Sequence, residues 1–336
     1  MTQRWNIQAK RDATMQNFAE EVEYKPVIKG VAVGDEACNI LDTLIELGIH
    51  GVDFIITGTE RCQLEQSVAS VKVRLGHVQP RITLNPHEMT GADCESVKHI
   101  GKALADADMV FIISCLDDAC GHDATVRIAD YAEGIGAGVM CLVALPSHHE
   151  GTAINGGAQE ALGILQSRHS VLVLPNGILV RSIIGGITDL VTKQRFVGID
   201  CVDLKESIFR YMDIKVGVGM ASGGNRAVEA TKMALASPLL AGFDVAKAQS
   251  VVVSASVGKD ASMEDFAGVD RLVRENVPDS TDCTIGLYNN GETGDQFAVM
   301  LYCCDSQKYP RKALIPQLPE SLENDNQADI PPFLRT

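Results

Sequence analysis

Short apolar segments alternate with amphipathic helical patterns through the first two thirds of the chain. The apolar segments are nearly continuous runs, so strands formed by them must be covered on both faces, as in a parallel sheet between two layers of helices. A ligand of such a sheet binds at the carboxyl ends of the strands, in the βα loops. The predicted strands are Val27–Val33, Val52–Thr57, Met109–Ser114, Gly138–Ala144 and Ser170–Leu174, and the predicted helices are Cys38–Leu47, Asp93–Leu104, Thr125–Tyr131 and Ala158–Arg168.

From about Asp203 the pattern indicates a second domain of α+β class. Beyond Cys304 the chain is Pro-rich and polar, which predicts a flexible linker of about 22 residues that spans about 25 Å as a coil. In the second domain the predicted strands are Val216–Val218, Ser250–Ala255, Thr284–Tyr288 and Phe297–Tyr302, and the predicted helices are Arg226–Ala234 and Met263–Arg274.

The charge balance excludes two classes of partner. The chain has 29 Lys plus Arg against 44 Asp plus Glu, a net charge of −15. This excess of acid disfavours nucleic acid and anionic membrane surfaces. We find no signal peptide and no stretch long enough to cross a membrane, so direct membrane insertion is not expected. The ten cysteines form no CxxC pair and predict buried thiols in a reducing cytoplasm.

The sequence around Gly217 carries the most specific family signature. The stretch Gly217–Ala227, followed by Ser237–Leu240, is similar to the second domain of FtsZ. With shorter matches elsewhere, the chain resembles the tubulin superfamily, and within it the FtsZ family of bacterial cell-division proteins, over roughly residues 26–302 and the tail. The shorter matches are Asn39–Ile49, Gly51–Ile55, Asn85–Pro86, Ala107–Ile112, Pro175–Asn176, Gly186–Leu190 and Asp329–Arg335.

The resemblance implies an α/β fold whose N-terminal domain is a Rossmann-like parallel sheet of the tubulin/FtsZ GTPase type. It divides the chain into an N-terminal extension (1–25), this nucleotide-binding-like domain (26–180), a shortened central helix with an acidic loop (181–202), an FtsZ-type α+β domain (203–303), the linker (304–327) and a C-terminal peptide (328–336). The positions that match the family's nucleotide contacts are Gly34, Asn39, Asn85, Gly121, Glu150 and Asn176.

The two loops that would hold phosphates have lost most of their glycines and gained acids. One carboxylate about 5 Å from a phosphate oxygen costs about 3 kcal/mol at an effective dielectric of about 20, whereas a micromolar affinity is worth about 8 kcal/mol in total. We therefore predict little or no binding of GTP or GDP, and no cofactor. The same acids also suit ordinary helix caps, and we favour a combination of the two interpretations, in which they supply the negative charge of the nucleotide and hold the domain folded without ligand. They are Asp35, Glu36, Asp117, Asp118 and Asp123.

The stretch 198–203 is similar to the loop with which one FtsZ subunit hydrolyses the nucleotide of the next. The resemblance gives its two acids, Asp200 and Asp203, a catalytic role, although Gly198 replaces the family's Asn. Two other interpretations remain open. The acids could contact Arg81 or Arg127 of a neighbouring subunit, or they could be solvated or capping carboxylates in a turn.

A divalent metal site and an exposed polar loop are competing interpretations of one further cluster. Histidines and carboxylates gather in the altered loops if the chain folds as the family does. We prefer the polar loop and predict no metal. The residues concerned are Asp117, Asp118, His122, Asp123, His148, His149 and Glu150.

The C-terminal peptide resembles the FtsZ tail that docks on membrane-tethering adaptors of the FtsA/ZipA type. Its apolar anchors suit a groove and its arginine suits an acidic rim. The resemblance implies a cytoplasmic location at the division site or at the inner face of the membrane. The residues that match are Asp329, Ile330, Pro331, Phe333, Leu334 and Arg335.

Taken together, these features predict an FtsZ-like cytoskeletal protein that is a pseudo-GTPase. It would polymerise head to tail with itself, or co-assemble with FtsZ, without ordinary GTP binding. One alternative is an active GTPase that forms dynamic filaments, because both acids of the hydrolysis loop are present. The other is a regulator that caps FtsZ filaments through one intact face.

Overall fold

The computed structural model describes residues 25–59, 61–75, 99–116, 119–145, 152–174, 179–193, 195–258, 262–290 and 295–307. The described residues form eleven strands: β1 Ile28–Val33, β2 Asp53–Gly58, β3 Val71–Arg74, β4 Met109–Ser114, β5 Gly138–Ala144, β6 Ser170–Leu174, β7 Arg195–Val197, β8 Tyr211–Ala221, β9 Ser250–Val257, β10 Asp282–Asn289 and β11 Phe297–Gln307. The helices are α1 Asp35–Glu46, α2 Arg61–Gln66, α3 Ala119–Gly134, α4 Thr152–Arg168, α5 Val180–Thr192, α6 Cys201–Ser207, α7 Arg226–Leu235 and α8 Met263–Asn276.

The first six strands form the parallel part of one sheet, in the order β3-β2-β1-β4-β5-β6. The order reverses between β1 and β4, where Gly30 is paired with Phe54 on one side and with Phe111 on the other. This is the strand order of a Rossmann-like domain, and its reversal point is where such sheets bind ligands. The predicted parallel α/β domain is confirmed.

The remaining strands continue the sheet in the order β8-β11-β9-β10-β7. Strand β11 is antiparallel to both β8 and β9, β9 and β10 are parallel, and β7 closes the edge antiparallel to β10. The predicted α+β character of this part is confirmed. The two parts meet where β6 runs parallel to β8, with Val171 opposite Asp213.

Three apolar clusters cover the sheet. Helices α1, α5 and α6 pack on one face of the parallel part, and α3 and α4 pack on the other. Helices α7 and α8 cover the second part. The core of α5 extends under both parts, since the Tyr302 hydroxyl of β11 donates to the Ile183 carbonyl at 2.9 Å and the Ser254 hydroxyl of β9 donates to the Gly186 carbonyl at 2.8 Å.

The short central helix and the segment after it differ partly from the prediction. Helix α5 has 13 residues, which agrees with a shortened central helix. The predicted acidic loop instead ends at Asp200, because Cys201–Ser207 forms helix α6. Within the described residues no helix has both the length and the apolar character needed to cross a bilayer.

Candidate functional site

The candidate cleft lies at the reversal point, beyond the carboxyl ends of β1 and β4. Strand β1 runs directly into Gly34 and helix α1. Gly34 has φ 91°, a left-handed conformation that favours glycine. Its N–H donates to the Thr57 carbonyl at 3.1 Å, so the β1–α1 turn is tied to the end of β2. This is the turn at which a Rossmann-like sheet normally places phosphate.

Asp35 and Glu36 occupy the first turn of α1. Glu36 is exposed and Asp35 is half-buried. One Asp35 carboxylate oxygen lies 3.8 Å from the position that a Cβ would take on Gly58, at the end of β2. Gly34 has no side chain to cap the helix. Because Asp35 and Glu36 are in its first turn, their carboxylates lie near the positive end of the helix dipole, the position at which such sheets bind anions.

The second altered loop is shorter than the sequence suggests. Helix α3 begins at Ala119, so Gly121, His122 and Asp123 are buried helical residues rather than loop residues. The Thr125 hydroxyl donates to the Gly121 carbonyl at 2.6 Å, which further fixes this turn of helix. The interpretation of 117–123 as a glycine-bearing loop is therefore wrong for 119–123. Asp117 and Asp118 lie outside the described residues.

His122 joins the β4–α3 turn to helix α4. Its Nε2 lies 2.8 Å from the Leu116 carbonyl oxygen, and Leu116 itself has φ 47°. Its ring packs on Gly157, where a Cβ would lie 2.8 Å from the His122 Cε1 atom. The imidazole therefore occupies space between the turn and α4 and does not extend into the cleft.

Asp123 is compensated by a cation of its own helix. Its carboxylate lies 2.6 Å from Nε of Arg127, and the two side chains are 10% and 29% exposed. The sequence interpretation counted Asp123 among five acids facing a phosphate chain, whereas the structure buries it in α3 beside Arg127. Of the five, Asp35 and Glu36 are the described acids at the cleft. The pair also occupies Arg127, which was considered as a contact for a neighbouring subunit.

The other predicted nucleotide and metal positions are only partly described. Asn39 lies on the exposed side of α1, about one turn beyond Asp35. Within the described ranges no three His, Cys, Asp or Glu residues group closely enough to hold a metal ion. The following predicted residues lie outside the described part of the chain: Arg81, Asn85, His148, His149, Glu150, Asn176 and the tail residues Asp329, Ile330, Pro331, Phe333, Leu334 and Arg335.

Asp200 and Asp203 form a reciprocal capping box at the start of α6. The Asp203 N–H donates to Oδ1 of Asp200 at 2.7 Å, and the Asp200 N–H lies 3.4 Å from Oδ2 of Asp203. Both residues are exposed. Their local role is the capping role that the sequence left open. Val202 between them is 66% exposed, an apolar feature that no pattern in the sequence indicated.

Helix α6 lies at the opposite end of the sheet from the cleft. Lys205 of α6 lies 3.9 Å from Asp108, which precedes β4, and 3.5 Å from the carbonyl of Gly136, which precedes β5. Asp200 and Asp203 are therefore near the amino ends of the parallel strands, and the cleft is at their carboxyl ends. The two sites are separated by the length of a strand, about 20 Å for six residues. They can meet only across two copies.

The comparisons with known proteins agree with this architecture. Residues 214–305 match the family model for the C-terminal domain of the FtsZ family. The chain is 26% identical to the cell division protein FtsZ of Azotobacter vinelandii over 310 residues, which cover 85% of this chain and 78% of that protein. It is 28% identical to FtsZ 1 of Thermococcus kodakarensis over 318 residues, which cover 88% of this chain and 84% of that protein.

Solved structures show the same fold. A tryptophan-to-tyrosine mutant of M. jannaschii FtsZ superposes with a TM-score of 0.73 at 24% identity, covering 88% of this chain and 96% of the other. The chain is a protein of the tubulin/FtsZ superfamily. A GTPγS-bound protofilament of CetZ2 from Haloferax volcanii superposes with a TM-score of 0.63 at 16% identity, and the match covers 84% of this chain and 94% of the other.

This FtsZ-like chain therefore has the FtsZ fold, with the following side chains at its cleft. Its β1–α1 turn has one glycine followed by two acids, and its β4–α3 turn is held by His122. The acids of the 198–203 stretch are retained, and they stabilise a helix terminus.

Proposed function

We propose that the chain is an FtsZ-like cytoskeletal protein that assembles head to tail, with itself or with FtsZ, while binding little or no nucleotide. The observation that carries the proposal is the pair Asp35 and Glu36 in the first turn of α1, at the reversal point of the sheet. There the helix terminus that would receive phosphate already has negative charge beside it.

The electrostatic cost is of the right size to prevent binding. A carboxylate about 5 Å from a phosphate oxygen costs about 0.8 kcal/mol in water and about 3 kcal/mol at an effective dielectric of about 20. Two such repulsions remove up to about 6 of the roughly 8 kcal/mol that a micromolar affinity needs. The second phosphate loop offers no compensation in its described part, because Gly121 and Asp123 are buried in α3.

The cleft and helix α6 lie at opposite ends of the parallel strands, an arrangement that suits head-to-tail assembly. In a head-to-tail polymer the α6 end of one copy faces the cleft end of the next, which would bring Asp200 and Asp203 near Asp35 and Glu36. Because all four are acidic, we expect subunits to repel each other at low ionic strength. Assembly should therefore increase with salt or Mg²⁺, which screen this repulsion.

Nucleotide binding is the deciding measurement. We expect purified protein to release no GTP or GDP on denaturation and to show no thermal shift in 1 mM GTP with Mg²⁺. The double variant Asp35→Asn with Glu36→Gln should bind GTP more tightly than the parent. The matched control is Asp123→Asn, which removes an acid that is already paired and should not change GTP affinity. Micromolar GTP binding by the parent chain would overturn the proposal.

Phosphate release and microscopy separate the alternatives. An active GTPase would release phosphate at high protein concentration and would lose that activity in Asp200→Asn, whereas we expect no release. Electron microscopy without nucleotide should show filaments. Short FtsZ filaments in a mixture, with none from the chain alone, would instead support a capping regulator.

We also propose that the C-terminal peptide recruits the chain to membrane adaptors at the division site. Deletion of residues 329–336 should abolish co-sedimentation with an adaptor of the FtsA or ZipA type and leave filament formation intact. A matched control replaces Thr336 with Ala, outside the matching residues. Unchanged adaptor binding after the deletion would contradict this role.

A further inference from the structure

His169 is a buried histidine held between two carboxylates. Its Nε2 lies 3.0 Å from Oδ1 of Asp130, and its Nδ1 lies 3.0 Å from Oε2 of Glu133. The imidazole is 1% exposed and the Glu133 side chain is 10% exposed. Arg168 contacts the other oxygen of Asp130 at 3.1 Å. Both acids belong to the last turns of α3, whereas Arg168 ends α4 and His169 precedes β6.

This cluster lies beside the junction of the two parts of the sheet. The next residue, Ser170, donates from its hydroxyl to the carbonyl of Phe209 at 3.1 Å and contacts the carbonyl of Tyr211, at the start of β8. One residue further, Val171 is opposite Asp213, the register pair between β6 and β8. A contact that positions His169 therefore also positions the first residues of β6 against β8.

The charges indicate which form of the imidazole fits. A neutral ring has one nitrogen with a lone pair, and that lone pair would face a carboxylate at 3.0 Å whichever tautomer is present. A doubly protonated ring carries a positive charge 3.0 Å from an oxygen of each acid, and with Arg168 it gives two cations for two anions. Burial opposes the charged form, but two carboxylates at this distance favour it more strongly.

We propose that His169 is an imidazolium that fastens α3 to the β6–β8 junction, and that its deprotonation loosens this junction. Other charged groups on the neighbouring elements that the structure describes form pairs of their own. They are Lys205 of α6 with Asp108 before β4, Arg210 with Glu206, and Lys215 with Asp213 on β8 at 3.7 Å. The device is therefore a pH-sensitive contact built into the fold. It is independent of whether the cleft binds nucleotide.

The direction of the pH effect follows from linkage. The stabilising charge is fully present below about pH 6.5, where an imidazole is charged even in an unfolded chain. It is lost as pH rises and the folded-state imidazolium releases its proton. Raising the pH above about 6.5 should thus weaken the junction, whereas below that pH the contribution of the His169 charge should stay constant.

Hydrogen exchange on the full chain tests the proposal. We expect the protection factors of amides in 170–174 and 211–213 to fall about tenfold or more from pH 6 to pH 9, a loss of about 1.4 kcal/mol in the free energy of opening. In His169→Gln, which carries no charge, these factors should be low and independent of pH. The matched control is His99→Gln, an exposed histidine outside the cluster, which should keep the wild-type profile.

A direct measurement keeps the proposal testable even if His169→Gln fails to fold. Nitrogen NMR of the wild-type chain with labelled histidine should show His169 with both ring nitrogens protonated at pH 6.5. Glu133→Gln should shift its deprotonation to lower pH. A neutral His169 ring at pH 6, or identical exchange profiles for wild type and His169→Gln, would overturn the proposal.

Discussion

Two glycines determine how closely helix α7 approaches strand β8. A Cβ on Gly217 would lie 2.2 Å from the carbonyl oxygen of Ala234, and one on Gly219 would lie 2.0 Å from that of Ala230. These contacts are with backbone, which cannot rotate away. Gly219→Ala should therefore separate the helix from the strand and lower the free energy of unfolding by about 1–3 kcal/mol or more.

Urea denaturation measures that loss. The control is Gly163→Ala on α4, where a Cβ would meet nothing within 4 Å. Since alanine is the better helix former, this variant should be neutral or up to about 1 kcal/mol more stable. Equal stability of the two variants would show that the close approach of α7 to β8 does not require glycine at position 219.

The capping box predicts a separation between the structural and electrostatic roles of Asp200. Asp200→Ala removes the acceptor for the Asp203 N–H and should lower the free energy of unfolding by about 1 kcal/mol, measured by thermal or urea denaturation. Asp200→Asn keeps an acceptor and should stay within about 0.5 kcal/mol of the parent. A loss of stability as large in Asn as in Ala would mean that the charge, rather than the cap, stabilises α6.

Sequence could reveal some of these residue contacts but not others. The spacing of Asp200 and Asp203 fits a capping box, and that of Asp123 and Arg127 fits a helical ion pair, so both were readable once the helix starts were known. The contact of His122 with the Leu116 carbonyl and the position of His169 between Asp130 and Glu133 depend on how separate helices pack. No local pattern encodes them.

Helix α5 is held to the second part of the sheet by two hydroxyls. Tyr302→Phe removes the donor to the Ile183 carbonyl, and Ser254→Ala removes the donor to the Gly186 carbonyl. Each should lower the free energy of unfolding by about 0.5–1.5 kcal/mol, because a buried hydrogen bond to a helix carbonyl is lost. Thr43→Ala is the control, since its exposed hydroxyl bonds only within α1; it should change stability by less than about 0.5 kcal/mol. Urea denaturation measures the three losses. If Thr43→Ala lost as much stability as Tyr302→Phe and Ser254→Ala, the two hydroxyls would not be what holds α5 to the second part.

At the scale of elements, the sequence predicted the buried, continuously apolar strands of 5 to 7 residues best, whereas it recovered only part of β8 and β11, which have 11 residues each. Strands β4, β5 and β6 have the predicted bounds, because each is a buried run between clear breaks. Elements α2, β3, β7 and α6 were not predicted. Each spans 3 to 7 residues, too few for periodicity to show, and their conformation depends on tertiary contacts. The early start of α3 was missed because its first turn contains Gly121 and is flanked in the sequence by Asp118 and Asp123, which suggested a loop.

The whole molecule should lose stability in alkali. Burial raises the pKa of Tyr288 to about 12 and that of Cys303 to about 12, and it also raises the pKa values of Tyr302 and Cys304. Above about pH 9 the thiols, and above about pH 10 the phenols, would ionise in the unfolded chain while the folded chain keeps them protonated. The free energy of unfolding should thus fall between pH 9 and pH 12.

Urea denaturation at pH 8, 9, 10 and 11 checks this expectation. Tyr288 alone accounts for about 2–3 kcal/mol over the full window, because its shift is about two units and each unit is worth about 1.4 kcal/mol. Tyr288→Phe should therefore show a shallower decline above pH 10, compared with its own value at pH 8. A decline as steep as in the parent would indicate that Tyr288 ionises normally in the folded chain.

The overall architecture followed from the sequence, but the continuity of its sheet did not. The alternation of strands and helices indicated the parallel part, and the match around Gly217 indicated the second part. The two parts join through Val171 and Asp213, which are 213 − 171 = 42 residues apart in the chain. The side chains of Ser170 and His169 lie beside this junction. Patterns within a single element contain no information about such pairings.

The pairing of β7 with β10 has a consequence for the order in which the chain is made. Val197 pairs with Leu287, 90 residues later, as 287 − 197 gives. At about 5–20 residues per second, a ribosome takes roughly 5 to 18 seconds to supply the partner. All six strands of the parallel part precede β7 in the chain, so they can pair with one another while β7 is still unpaired; its Phe196 remains 49% exposed even after folding. During synthesis the edge strand β7 is thus an unpaired segment that a chaperone could protect.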